Sequence, residues 1–141
     1  MDRTKETLKL VVAIMRTNNK LDEIARTDAS RFGLNVTEFA VLELLYNRGK
    51  QPIQKIGERI LIASSSTTYV LDKLCSKGLA ERQPDLKDRR VTYVTITPQG
   101  KELMDEVFPQ HAQHITEAFS ELKDEEISSL QKLLKTLNRL E

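Results

Sequence analysis

The sequence predicts a mainly α chain carrying one small β hairpin, and three observations predict it. Apolar residues recur at helical spacing through 4–27, 37–48, 53–77 and 98–140. One stretch, VTYVTIT at 91–97, has the β-branched density of a strand instead. Charge is segregated: residues 48–90 carry ten basic and five acidic groups, 1–47 carry seven of each, and 101–141 carry five basic and nine acidic. A basic centre between neutral and acidic ends suits an anion-binding unit held on a scaffold.

Composition narrows the function classes. With 141 residues, 39% hydrophobic and 30% charged, the chain fits one soluble domain, 1–141. Aromatics are 5% and Trp is absent, so the core is aliphatic. No apolar run approaches the roughly 20 residues of a membrane helix, and the N-terminus lacks a signal-peptide pattern. The single Cys75 allows no internal disulfide. A reduced, cytoplasmic protein is expected. Gly33, Gly49, Gly57, Gly78 and Gly100 are too dispersed for a dinucleotide loop or a P-loop. Two His and one Cys are too few for a Cys/His zinc site. No catalysis, cofactor or metal is expected.

The elements follow in order. Leu10, Ile14, Leu21 and Ile24 stripe a first helix over 4–27, with Asn18 and Asn19 interrupting its face and a loop at 30–35 after it. Thr37 is the expected N-cap of a second helix ending at Gly49, apolar on most sides and therefore buried. Pro52 opens a short helix with Ile53, Ile56, Ile60 and Leu61 inward. The next helix carries hydroxyls at its start. Its inner face is Val70, Leu71, Leu74 and Cys75, and Gly78 closes it. Strands are expected at 79–83 and 91–97, joined by the polar tip PDLKDRR. Thr97 and Pro98 are the N-cap and first residue of a long helix, in which Pro109 predicts a kink or break near Phe108. A last helix covers 124–140, with Ile127, Leu130, Leu134 and Leu137 on one side.

Two short helices joined by a tight turn, the second hydroxyl-rich at its N-terminal end, make a helix-turn-helix at about 53–77. The hairpin with a basic tip at about 79–97 makes a wing. Together, 35–97 is a winged helix-turn-helix, flanked by 4–27 and 98–140. Those flanks hold more apolar stripe than one such unit covers, so they are expected to dimerise. A helix in the major groove with an arginine in the minor groove is the expected mode of DNA contact.

These residues resemble the MarR family of transcriptional regulators over nearly the whole chain. Asp88-Arg89-Arg90, the strand that follows and the helix opening Pro98-Gln99-Gly100 match that family's wing. Residues 64–74 resemble its recognition helix and GLNVTEFAVLELLY its second helix. Within the family, 34–46, 56–64, 68–70, 72–74 and Phe108-Pro109 look like a branch of repressors of quinone and hydroquinone detoxification genes. The resemblance implies a homodimer that binds a pseudo-palindromic operator in double-stranded DNA. It implies release by a small phenolic or quinone-like effector, or by cysteine oxidation. Cys75 is late in the recognition helix rather than near the N-terminus, where thiol-sensing members carry theirs, and this argues against direct thiol sensing.

The expected DNA contacts are Ser64, Ser65, Ser66, Thr67, Thr68, Tyr69 and Lys73 on the helix, and Lys87, Asp88, Arg89 and Arg90 on the wing. Hydroxyls near the N-terminus reach base edges, whereas Lys73 suits a phosphate. Arg90 is the expected minor-groove arginine. Asp88 would repel DNA if free, so it is expected to hold an arginine through a charge-assisted hydrogen bond. Met15, Phe39, Phe108 and His111 are the expected lining of an effector pocket, with plain core packing as the alternative. His111 and His114 share a helix face, but a metal there lacks further ligands. Cys75 is expected to be a buried, inert thiol. The rival functions are a thiol or metal sensor on the same fold, and a protein-interaction module without DNA binding.

Overall fold

The computed structural model describes residues 1–60 and 64–139, and side chains throughout these except at 64 and 65. Leu61, with the rest of 61–63, and the last residue of the expected 124–140 helix lie outside the described residues, as do the side chains of Ser64 and Ser65. The chain runs α1 (Arg3–Ser30), α2 (Val36–Arg48), β1 (Gln51–Pro52), α3 (Ile53–Ile60), α4 (Ser64–Ser76), β2 (Ala80–Pro84), β3 (Thr92–Ile96), α5 (Pro98–Ala118) and α6 (Asp124–Asn138). The fold is mainly α with a small antiparallel wing, as the periodicities predict.

Helix α1 extends three residues beyond expectation because its last turn is its anchored end. Asp28 and Ala29 are its buried residues. Gly33, at φ +74°, turns the chain after it, and the Leu34 amide donates back to the Ala29 carbonyl at 3.1 Å. The N-cap of α2 is Asn35, not Thr37. Asn35 Oδ1 accepts from the Glu38 amide at 2.8 Å and Glu38 Oε1 accepts from the Asn35 amide at 2.9 Å, a reciprocal capping box. Two donors are satisfied this way, which Thr37 inside the first turn could not do. Helix α2 is the core's centre: Phe39, Val41, Leu42 and Leu45 are all buried.

Pro52 lies on a two-residue edge strand rather than opening the helix. An edge tolerates a residue that cannot donate. The sheet order is β1-β3-β2, with Gln51 opposite Val94 and Arg82 opposite Val94 from the other side. Val94 points inward and is fully buried beside Ile56, Leu71 and Leu74 in the core. Helix α5 starts as expected: Thr97 Oγ1 accepts from the Gly100 amide at 3.0 Å and Pro98 is its first residue. It is not broken at Phe108. Pro109 lies on the exposed face, where water can take the freed carbonyl, while Met104, Val107 and His111 anchor the opposite face in the core. Helix α6 has no buried residue.

Candidate nucleic-acid interface

Helix α4 rests on α2 and α3 and lies next to β2. Its inward face is Thr67, Val70, Leu71 and Leu74, at spacing i, i+3, i+4, i+7. Thr67 is therefore turned into the core, only 2% exposed, and is corrected from the contact set. Ser66, Thr68, Tyr69, Asp72 and Lys73 face outward. Lys73 Nζ sits 5.6 Å from the centre of the Tyr69 ring, within cation–π range. Cys75 is half-buried rather than buried, and an Arg82 guanidinium nitrogen lies 3.7 Å from its Sγ.

Arg82 is a functional residue outside the expected contacts. It projects from β2, and its other terminal nitrogen donates to Asp72 Oδ1 at 2.7 Å. Asp72 would otherwise set a bare carboxylate on the outward face of α4. The pair neutralises it and ties the helix to the root of the wing. A basic residue on β2 facing an acidic residue on the preceding helix was the available signal.

The wing tip is held by its own hydrogen bonds. The Asp85 amide donates to the Val91 carbonyl at 3.0 Å and the Val91 amide to the Asp88 carbonyl at 3.1 Å. Asp85 Oδ1 accepts from the Lys87 amide at 2.9 Å. Asp88 grips Arg90 three ways: Oδ1 accepts from the Arg90 amide at 3.0 Å and from Nε at 3.1 Å, and Oδ2 accepts from a terminal nitrogen at 3.2 Å. These bonds, the side-chain one foremost, hold the Asp88 carboxyl below its usual range. The Arg90 side chain stays 90% exposed. Asp88 thus fixes the direction of a guanidinium without burying it. Lys87 and Arg89, close to it in the chain, are also exposed.

A second constellation lies on the far side of α2. A cavity of about 460 Å³ is lined by Phe39, Glu43, Arg48, Arg59, His111 and Ile115, among others. Of the expected pocket residues it joins Phe39 and His111, whose rings meet edge to face at 4.8 Å. Met15 and Phe108 are not in it. Met15 is on the outward face of α1, 61% exposed, and Phe108 packs on the Tyr46 ring at 5.6 Å. His111 Nδ1 lies 2.9 Å from Asp28 Oδ2, and His114 Nδ1 lies 2.8 Å from Asp28 Oδ1. Burial raises the Asp28 carboxyl, but the hydrogen bonds and charge of the two imidazoles outweigh it and leave it lowered. An ionised carboxylate only accepts, so both Nδ1 atoms carry the proton. His111 Nε2 then faces Glu43 Oε2 at 3.5 Å, a contact that attracts when one of the two is protonated. Burial pushes the Glu43 carboxyl up, opposed by His111. The cluster links α1, α5 and α2. Among the described residues, no group of His, Cys, Asp and Glu is arranged to hold a metal ion.

The outward hydroxyl and aromatic face of α4, the tied wing and its fixed arginine define a winged-helix protein of the nucleic-acid-binding type. The MarR family model matches residues 34–92. The chain is 45% identical over 132 residues to the HTH-type transcriptional regulator MhqR of Bacillus subtilis (strain 168), covering 94% of this chain and 91% of that one. It is 41% identical over 134 residues to the HTH-type transcriptional regulator YkoM of the same organism, covering 95% and 87%. The crystal structure of a mutant MarR from E. coli complexed with operator DNA superposes with a TM-score of 0.76 at 26% identity, covering 97% of this chain and 99% of that one. The chain belongs to the MarR family.

Proposed function

We propose that this chain is a sequence-specific transcriptional regulator, a homodimer that binds a pseudo-palindromic operator and represses until a small phenolic or quinone-like molecule releases it. The observation that carries the DNA-binding reading is the Arg82–Asp72 pair. It joins the outward face of α4 to the wing, so base-reading hydroxyls and the Asp88-held Arg90 belong to one braced surface. Ser66, Thr68 and Tyr69 read bases in this account, and Ser64 and Ser65 precede them on the same helix. Lys73, Lys87 and Arg89 hold phosphates. The role is binding, not catalysis, and it places the protein in the cytoplasm with the DNA. Among the described residues, no helix is long and apolar enough to cross a membrane.

Dimerisation is supported by the apolar side chains left outside. Leu8, Leu10, Val11, Val12, Ile14 and Met15 on α1, with Leu130, Leu133, Leu134 and Leu137 on α6, are each at least 37% exposed. A stripe of that size marks an interface. The effector reading is supported by the 460 Å³ cavity, which offers the Phe39 ring and the His111–Glu43 pair to a small hydroxylated aromatic. It also rests on the likeness to MhqR. The test is fluorescence anisotropy on a duplex from upstream of the protein's own gene, with random duplex as reference and with added hydroquinone or benzoquinone. Tight binding to the upstream duplex alone, relieved by the added compound, is expected. Equal affinity for both duplexes would overturn the operator reading. Tight binding unmoved by either compound would overturn the effector reading.

A further inference from the structure

We infer that Leu86, at the tip of the wing, is an apolar groove contact that packs against the deoxyribose edges of the minor groove. This rests on the DNA-binding reading above and adds to it a residue of a different chemistry. Among the described residues, the exposed large apolar side chains fall almost entirely into the α1 and α6 stripes. Met1 is the chain terminus and Tyr69 lies on the outward face of α4. Leu86 stands apart from all of these and is fully exposed, at 102% of its reference area.

The fold makes no use of Leu86. Its neighbours form the tip's hydrogen bonds: Asp85 to Lys87 and Val91, Asp88 to Arg90. A polar residue would serve the turn as well. What the tip does is present Leu86 outward on a braced loop, beside Lys87, Arg89 and Arg90. Of the tip carboxylates, Asp88 is engaged by Arg90, and Asp85 accepts from a backbone amide. The occupant that suits an exposed apolar side chain on a tip with more cations than carboxylates is a duplex groove, where phosphates line the rims and the sugars present C–H surface. Three cations beside a lone leucine do not suit another protein's apolar pocket.

Magnitudes decide how Leu86 contacts DNA. Inserting between bases unstacks a step, a cost of the same order as the whole return from burying one leucine. Lying along the sugars buries the same carbons with the stack intact. The contact is therefore with the groove wall. It is neutral, so it releases no counterion.

The experiment measures binding of the homodimer to the upstream duplex over a salt series, with Leu86→Ala, Leu86→Met and Arg90→Ala beside wild type. Leu86→Ala should weaken binding about tenfold, with two wings contributing, and leave the log–log salt slope unchanged. Leu86→Met should stay within about twofold of wild type, since it keeps the apolar volume. Arg90→Ala should weaken binding and make the slope shallower. A 2-aminopurine placed under the wing should remain stacked throughout. Full affinity in Leu86→Ala alongside a weakened Arg90→Ala would overturn this inference and leave the DNA-binding reading standing. A changed slope in Leu86→Ala, or 2-aminopurine brightening that needs Leu86, would also overturn it. Absence of wild-type binding would overturn both readings. Because Leu86 is fully exposed, a loss of binding in its variants cannot be attributed to unfolding.

Discussion

Replacing Gly100 by alanine tests how α5 is seated on the wing. In an open helix, glycine to alanine is stabilising by about 1 kcal/mol. Gly100 is in the first turn of α5 and buried. A Cβ there would press into the Leu79 carbonyl oxygen, and would lie 2.8 Å from Ile96 Cγ1 and 3.1 Å from the Leu79 carbonyl carbon. Two of those three atoms are backbone and cannot swing away. The same carbonyl accepts the Thr97 amide at 3.1 Å, and Thr97 Oγ1 donates to the Gly78 carbonyl at 2.6 Å. Moving α5 to make room therefore strains the N-cap as well. Overpacking costs about 1–3 kcal/mol, and loosening one backbone hydrogen bond about 1 kcal/mol more. Set against the propensity gain, Gly100→Ala should lose about 2 kcal/mol. At roughly 4 °C per kcal/mol for a chain of this length, Tm should fall by about 8 °C. Thermal and urea unfolding at one fixed protein concentration would measure it. A variant as stable as wild type, or more so, would refute the argument that α5 meets the Leu79 backbone, just before β2, with no room for a side chain.

Leu134→Glu, and separately Leu137→Glu, should weaken dimer and DNA binding together; sedimentation showing a wild-type monomer at micromolar concentration would contradict this. Thr68→Ala should cost about 1–3 kcal/mol on the operator and much less on random duplex. Lys73→Ala should weaken both duplexes by similar factors, and equal changes in the affinity ratio would refute the division of roles. Asp28→Asn removes charge-assisted bonds to His111 and His114 and should cost about 2 kcal/mol near neutral pH. The Asp28 carboxyl is lowered in the fold. Its contribution is thus fully present above the unfolded carboxylate pKa, about 3.9, and is lost as pH falls through the lower folded value. Urea midpoints of the two proteins should therefore converge in strong acid; a gap that widened there would contradict the sign.

Legibility in the sequence followed the range of each interaction. The helices and the wing show in apolar period and β-branched density, and Asp88 holding Arg90 shows because the two share one tight turn. The Asn35–Glu38 box is also written locally, but Thr37 is the hydroxyl nearer the apolar run and masks it. Thr67 looks like its hydroxyl neighbours, yet its spacing from Val70, Leu71 and Leu74 already marks it as inward. The Asp28 cluster was not legible. Its partners are 83 and 86 residues away in the chain, and only the packing of α1 on α5 brings them together. Met15 shows the same limit in reverse: a helical stripe says that a side chain belongs to an apolar face, not whether that face meets the chain's own core, and Met15 is 61% exposed.

The central claim is that two copies of α4 and the wing read a symmetric duplex site. Selection of bound sequences from a random duplex pool tests it most directly, since it needs no prior operator. The account predicts enrichment of a pseudo-palindrome whose half-site centres are about one helical turn apart, roughly 10–10.5 base pairs, or a multiple of that. A pool that shows no enrichment, or one that converges on a single motif without two-fold symmetry, would contradict it.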